Sequence, residues 1–164
     1  KRLRRPLSFN VSHMKLALAL VGILSTMHCI ASENATQVPR SVHGLYGKRV
    51  EVCFSSANDP RGYQCEGETA NTVLVIPLAT QREALVNMSL QFSAGHVCQV
   101  REDIGTWQAD HLAVTLPDQG QCRFDLYFPN REVLIKDDET NPCTPRVCGP
   151  RGTLNIRLPR QGGL

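Results

Sequence analysis

From Ser41 onward, apolar and polar residues alternate mostly with a period of two, which is typical of strands that bury one face. Segments of this kind are separated by Gly-, Pro-, Asn- and Asp-rich turn signals at intervals of roughly 8–12 residues. No convincing helix occurs, although residues 79–84 could form one turn. The segments are 48–54, 72–78, 86–92, 96–101, 107–109 leading into 112–116, 122–128, 132–136 and 153–158.

This spacing predicts an all-β fold: a small antiparallel β-barrel, or a sandwich, of about eight strands. We favour the barrel because closure removes exposed strand edges. In segment 48–54, the alternation places Val50, Val52 and Phe54 on the inward face. Trp107 is expected to be a large core residue at one end of the barrel.

Segment 122–158 carries the strongest part of this pattern. Phe124, Leu126 and Phe128 share one face, Pro129-Asn130 marks a hairpin turn, and a second arm follows. A short cysteine-closed loop, followed by the sequence Gly-Pro-Arg-Gly, then precedes the last strand. We interpret the segment as a structural one, whose loops are better placed for function than its strands.

The first 31 residues resemble an upstream extension followed by a secretory signal peptide. An apolar run over 16–24 follows Lys15, and Cys29 and Ala31 provide small side chains before a cleavage site after Ala31. A transmembrane anchor needs roughly 20 apolar residues, and lipid attachment at Cys29 is disfavoured by His28. We predict extension and signal over 1–31, a flexible leader over 32–42, one disulfide-stapled β domain over 43–160 and a tail over 161–164.

Export changes the charge of the chain. The whole sequence has 18 Lys and Arg residues and 15 Asp and Glu residues. Five of the basic residues precede the cleavage site, which leaves 13 basic against 15 acidic residues and a net charge of −2. A basic domain is the usual footprint of nucleic-acid binding. We therefore expect no nucleic-acid partner, and no membrane span after signal removal.

An even number of cysteines in an exported chain predicts a disulfide framework. Sequence alone leaves 15 pairings open, and we favour nearest neighbours because each pair would close a short loop between strand ends. The sequence lacks the second cysteine knuckle or the suitably spaced histidines that a zinc site needs. We therefore expect no metal and no cofactor. The favoured pairs are Cys53–Cys65, Cys98–Cys122 and Cys143–Cys148.

No catalytic motif stands out. A G-x-S-x-G elbow is absent, and six paired cysteines would leave no thiolate. Asp103, Asp110 and His111 could supply acid–base groups, but they fall at strand ends where solvated polar residues are usual. We expect a non-enzyme, and keep a hydrolase of unknown class that uses these three residues as an alternative.

Two long polar loops, 55–63 and 137–151, are pinned by nearby cysteines. A rigid loop loses less entropy on binding, which makes both loops candidates for contact with a partner. The plainer interpretation is that the disulfides compensate for a modest core. The candidate contact residues are Asp59, Arg61, Tyr63, Asp137, Asp138, Arg146 and Arg151.

The C-terminal half, roughly Gly95 to Arg160, resembles small, mostly uncharacterised secreted or periplasmic bacterial proteins. In some of them this module looks like, or accompanies, periplasmic lysozyme-inhibitor domains. The Ser-Gly-Ala-x-Tyr-type loop of inhibitors of C-type lysozymes is absent, so no inhibitory residues carry over. The matching pieces are Gly95-His96-Val97-Cys98, Gly105-Thr106-Trp107, Cys122 to Phe128, Asp137-Asp138, and Cys143 to Gly152.

These observations predict an exported, periplasmic or secreted, non-enzymatic protein that binds a partner or protects the cell envelope. The resemblance implies a lysozyme-inhibitor-like module, with a protein or glycan partner in the envelope. The alternative is a β-barrel that holds a small apolar ligand, since barrels of about eight strands can enclose one.

Overall fold

The computed structural model describes residues 37–162, so the predicted signal peptide and its cleavage site lie outside the described residues. Eight antiparallel strands follow one another in chain order, and the last pairs with the first to close a barrel. The predicted all-β barrel with disulfides is therefore confirmed. The strands are β1 (Gly44–Ser55), β2 (Tyr63–Pro77), β3 (Glu83–Gln91), β4 (Val97–Gln108), β5 (His111–Leu116), β6 (Cys122–Tyr127), β7 (Glu132–Asp137) and β8 (Ile156–Gly162).

Short helical turns connect some of these strands. One α-helical turn, α1 (Thr144–Val147), lies between β7 and β8. Turns of 3-10 helix cover Arg40–Val42, Ser93–Gly95 and Pro117–Gln119. Residues 79–84, considered above as a possible helical turn, instead include a tight connection and the start of β3.

The period of two produces the barrel core. Along β3, every second residue is buried, from Ala84 to Leu90, and β6 alternates in the same way. Trp107 is only 7% exposed, as expected of a core residue near one end. The largest fully buried side chains are those of Tyr46, Phe124, Leu90, Leu112, Leu126, Ile135, Leu154 and Leu158.

Because neighbouring strands are antiparallel, the connections alternate between two ends of the barrel. We call one of them the loop end; it holds the connections 56–62, 92–96, 117–121 and 138–155. The other, the N-terminal end, holds the connections 78–82, 109–110 and 128–131. The described residues before β1, Gln37–His43, also lie there and are called the strap.

The strap is packed against the barrel. Val38 and Val42 are buried in the core, and Val38 N donates a hydrogen bond of 2.8 Å to Gln81 O. Arg160 Nη1 donates to Ser41 O at 2.9 Å. The part of the predicted leader that the structure describes therefore makes specific contacts with the barrel. At the other end of the domain, β8 extends two residues into the predicted tail.

The residues predicted to face inward on β1 lie on the same side of the strand as Tyr46, but the expectation that they are buried is wrong. Tyr46, near the start of the strand, is its buried anchor, with 1% exposure, whereas Phe54 is 40% exposed. Val50 and Val52 are only half-buried. The physical reason is that β1 and β2 are longer than the barrel wall, so residues 50–54 lie beyond the part of β1 that faces the core.

Two of the three predicted disulfides are wrong. Cys53–Cys65 is confirmed, but the others are Cys98–Cys148 and Cys122–Cys143. Cys98 lies near the start of β4 and Cys122 at the start of β6, and β5 lies between these two strands. Their Cα atoms are therefore separated by at least two strand spacings of about 4.8 Å each, which exceeds the roughly 7 Å that a disulfide can bridge. Cys143 and Cys148 flank the four-residue α1 and are five positions apart, about 500° of helical rotation, so their side chains point in different directions.

The three disulfides are consistent with an oxidising or extracellular compartment. Within residues 37–162, no helix has the length and apolar character needed to cross a membrane.

Candidate functional site

The most distinctive feature is the two-stranded extension formed by residues 48–70, which we call the ribbon. The β2–β3 ladder begins at Thr72, and the β1–β8 ladder includes only Leu45 and Tyr46 of β1. Among the described residues, the two strands of the ribbon therefore pair only with each other. A disulfide between the directly opposed Cys53 and Cys65 fixes their register.

The ribbon ends in a tight turn, Asp59–Tyr63, which we call the tip. Gly62 N donates to Asp59 O at 2.8 Å, and Ser56 N donates to Gly62 O at 3.1 Å. Pro60 presets the backbone angle that such a turn requires. Gly62 has a φ of +76°, a conformation that glycine adopts without steric cost.

Side chains lock the tip further. The Asp59 carboxylate accepts hydrogen bonds from Arg61 N at 2.9 Å, Nε at 3.0 Å and Nη2 at 2.9 Å. Arg61 Cζ lies 5.2 Å from the centre of the Tyr63 ring, within cation–π range. The structure thus brings together Asp59, Arg61 and Tyr63, three of the residues that the sequence predicted as contacts.

The tip carries an exposed ion pair between Asp59 and Arg61. The hydrogen bonds from the Arg61 side chain and backbone lower the pKa of the Asp59 carboxyl below its ordinary value. Tyr63 is 46% exposed, although aromatic rings are usually more buried. The tip therefore presents a guanidinium that is hydrogen-bonded to Asp59 and lies over the exposed Tyr63 ring.

The second predicted loop, 137–151, falls largely within the β7–β8 connection at the loop end, residues 138–155, which we call the capping loop. Asp137 accepts hydrogen bonds from Cys143 N at 2.7 Å and Thr144 N at 2.9 Å, which positions the start of α1. Arg146 Nη1 donates to Gly120 O at 2.9 Å. These two predicted contact residues therefore stabilise the capping loop itself.

The other two predicted residues of this loop differ from each other. Asp138 Oδ1 accepts from Thr140 N at 2.7 Å and Asn141 N at 3.0 Å. Its hydrogen bonds, led by that of the Thr140 side chain, lower the pKa of the Asp138 carboxyl. Arg151 is exposed. Of the two predicted loops, the tip has the more accessible polar and aromatic groups.

The three acid–base residues considered for a hydrolase do not converge. Asp110 Oδ1 and His111 Nδ1 are 3.0 Å apart at the β4–β5 turn. Asp103 lies five residues before the end of β4, about 17 Å along the strand. Burial and the nearby Asp118, which lies in the β5–β6 connection at the loop end, raise the pKa of the Asp103 carboxyl.

A polar cluster on the outer face of β5 and β6 is only partly evident from sequence. Arg123 Nη2 is 3.0 Å from Asp125 Oδ1, which lies 3.6 Å from His111 Nε2. The His111 ring stacks on Tyr127 with centres 5.0 Å apart. Alternation along β6 already predicts that Arg123, Asp125 and Tyr127 share its outer face, whereas His111 joins them only through the β5–β6 register. Partly exposed ion pairs of this kind contribute little to stability.

One group of potential metal ligands occurs among the described residues: Glu51, Cys53 and Cys65. Both thiols are consumed in the disulfide, so we assign no metal to this group.

The barrel interior is occupied by its own side chains, with Tyr46, Phe124 and Leu126 fully buried. A cavity of about 420 Å³ lies at the rim of the N-terminal end, between the strap and the β2–β3 connection. Its lining is mixed, with Arg40 and Glu83 beside Val38. Neither feature favours the alternative of a barrel that encloses a small apolar ligand.

Comparisons with known proteins give no relatives: no family model matches the chain, and neither curated proteins nor solved structures include a match.

Proposed function

We propose that this is an exported binding protein that presents the tip of its ribbon to a protein partner. The observation that carries the proposal is the locked arrangement of Asp59, Arg61 and Tyr63 on a disulfide-clamped ribbon. A preorganised tip loses little conformational entropy on binding. Arg and Tyr are also among the residues that contribute most to binding energy at interfaces.

The chemistry of the tip indicates what kind of partner it suits. Asp59 neutralises Arg61, so recognition depends on hydrogen bonds and stacking rather than on net charge. The Asp59 bonds use Nε and Nη2, which leaves Nη1 of the guanidinium for acceptor groups of a partner. Phe54, 40% exposed on the same ribbon, adds apolar contact area.

The expected likeness to lysozyme-inhibitor modules makes a lysozyme the first partner to test. The predicted mature chain, residues 32–164, is mixed with lysozymes of several classes, and bacterial lysis is measured. We expect inhibition that Tyr63→Ala weakens about 30-fold, the equivalent of roughly 2 kcal/mol for an interfacial hot spot. Arg61→Ala should weaken it similarly.

The matched control is Arg151→Ala, which removes an exposed arginine from the capping loop instead of the tip. It should change inhibition less than about twofold, within the range of near-neutral interface contacts. If no lysozyme is inhibited by the wild-type protein, the lysozyme version of the proposal is rejected.

A second experiment tests the tip independently of any particular partner. A photo-crosslinking residue is placed at Tyr63, or at the exposed Gln99 on β4 as a control, in cells that export the protein. We expect a discrete crosslinked protein from position 63 that is absent from position 99. Equal crosslinking from both positions would contradict a partner-binding role for the tip.

A further inference from the structure

The outer edge of β1, from Lys48 to Val52, is a second feature of the ribbon with its own chemistry. The ladder from β1 to β8 ends after the pair Tyr46–Arg160. The next residue of β8 is Pro159, which has no N–H to donate to a ladder. Among the described residues, no strand pairs with this edge beyond that point.

The backbone groups that point out from this edge can be identified. Gln161 Nε2, on the β8 side, donates to Gly47 O at 2.6 Å, so the Gly47 carbonyl faces away from β2. In an antiparallel strand, alternate residues direct their N–H and C=O to the same edge. The β1–β2 register is regular from Gly44 to Glu51. Arg49 and Glu51 therefore direct their backbone groups to the open edge.

This edge is complementary to a second copy of itself. If two such edges pair antiparallel about a twofold axis at Val50, Arg49 of each copy lies opposite Glu51 of the other. Arg49 and Glu51 are also the residues whose backbone N–H and C=O groups face outward. The same register therefore forms backbone hydrogen bonds between the two copies and places opposite charges next to each other. Arg49 is highly exposed, with 85% of its side chain accessible, and its contact with Glu68 is an exposed ion pair of the kind that contributes little to stability.

The corresponding edge of β2 lacks this property. Glu66 and Glu68 flank Gly67, so an antiparallel self-pairing about Gly67 would place glutamates opposite each other. Like charges directly opposed across strands are destabilising. A twofold axis at Gly67 of the β2 edge is therefore disfavoured, whereas a twofold axis at Val50 of the β1 edge pairs opposite charges.

We propose that the protein forms a homodimer by pairing the β1 edges of two ribbons over Lys48–Val52. The contact is a strand addition with closed twofold symmetry, so it stops at two copies. The dimer would carry two tips and could bind a repetitive or multimeric partner with increased avidity. The proposal does not depend on the partner of the tip.

Charge reversal tests the register directly. Sedimentation equilibrium of the mature chain should give a concentration-dependent dimer. Arg49→Glu and Glu51→Arg should each raise the dimer dissociation constant at least about tenfold, because each places like charges opposite each other twice. An equimolar mixture of the two variants should form a heterodimer, since both opposed pairs are then complementary. The double variant R49E/E51R should dimerise like wild type.

Glu66→Arg is the matched control on the other edge, and it should leave the dimer unchanged. Arg49 Nη1 also contacts Glu68 Oε2 at 3.4 Å within the chain, so thermal unfolding of each variant verifies that the fold is retained. A wild-type protein that is monomeric at every concentration overturns the proposal. So does a dimer that ignores the charge reversals, or single variants that fail to associate when mixed.

Discussion

Gly152 lies against the Cys98–Cys148 disulfide at the base of the capping loop. A Cβ at this position would lie 2.5 Å from Cys148 Cβ and 3.0 Å from Cys98 Sγ. Neither atom can move far, because the disulfide ties the capping loop to β4. We expect Gly152→Ala to lower the free energy of unfolding by about 1–3 kcal/mol, the usual cost of overpacking. Urea denaturation measures this change.

Gly162→Ala is the matched control. A Cβ at Gly162 would have no heavy atom within 4 Å among its described surroundings, and the substitution should change stability by less than about 0.5 kcal/mol. If Gly152→Ala is as stable as this control, the close packing of Gly152 on the disulfide is refuted.

At the scale of elements, the strap contains a histidine whose environment disfavours its charged form. Burial, followed by the cations Arg160 and Arg40, lowers the pKa of His43 below its ordinary value of 6.5. The unfolded chain therefore binds this proton at a higher pH than the folded protein does. Stability should fall as the pH decreases through 6.5 toward the lowered pKa of His43.

His43→Gln removes this titration and should reduce the loss of stability between pH 7 and pH 5. The measurement is urea unfolding of both proteins at these two values. At pH 8, His43 is neutral in both the folded and unfolded states, so the difference measured there gives the baseline cost of the substitution. An unchanged pH dependence in the variant would show that His43 does not contribute to acid sensitivity.

The sequence predicted the strands better than their ends. Alternation identified β3 and β6 because their buried faces lie wholly within the barrel wall. It identified the face of β1 that carries Tyr46 but not how much of that face is buried, because the same alternation continues into the ribbon, where Phe54 is 40% exposed. Periodicity indicates which residues share a face, but the position of the barrel wall along a strand depends on its neighbours.

The candidate site was predictable in part for a similar reason. Asp59, Arg61 and Tyr63 are close in sequence, so a turn brings them together without help from the rest of the fold. The contacts of Asp137 and Arg146 join separate segments of the loop end. Those contacts, like the disulfide pairing, follow from strand order and not from local spacing.

For the whole molecule, the two ends of the barrel are stabilised differently. All three disulfides lie at the loop end, where two of them tie the capping loop to the starts of β4 and β6. At the N-terminal end, the strap is held by noncovalent contacts such as the hydrogen bond from Tyr46 Oη to Val42 O, 2.8 Å long. The end that presents the ribbon is thus the covalently fixed one.

This arrangement predicts separate effects for two disulfides. Cys98–Cys148 spans 50 residues and Cys53–Cys65 spans 12, so chain entropy predicts losses of about 4 and about 3 kcal/mol when each is replaced by an alanine pair. Hydrogen exchange distinguishes them better than stability does. Without Cys98–Cys148, the amides of α1 should lose protection while those of the ribbon keep it.

Without Cys53–Cys65, the pattern should reverse, because the ribbon has no other strand to hold its register. Binding through the tip should then weaken although the barrel stays folded, since the tip would have to be ordered on each encounter. The alanine pair at Cys98 and Cys148 serves as the control, as it should leave binding through the tip intact at temperatures where the barrel is folded. Loss of ribbon protection in both variants would instead mean that the ribbon depends on the capping loop for its order.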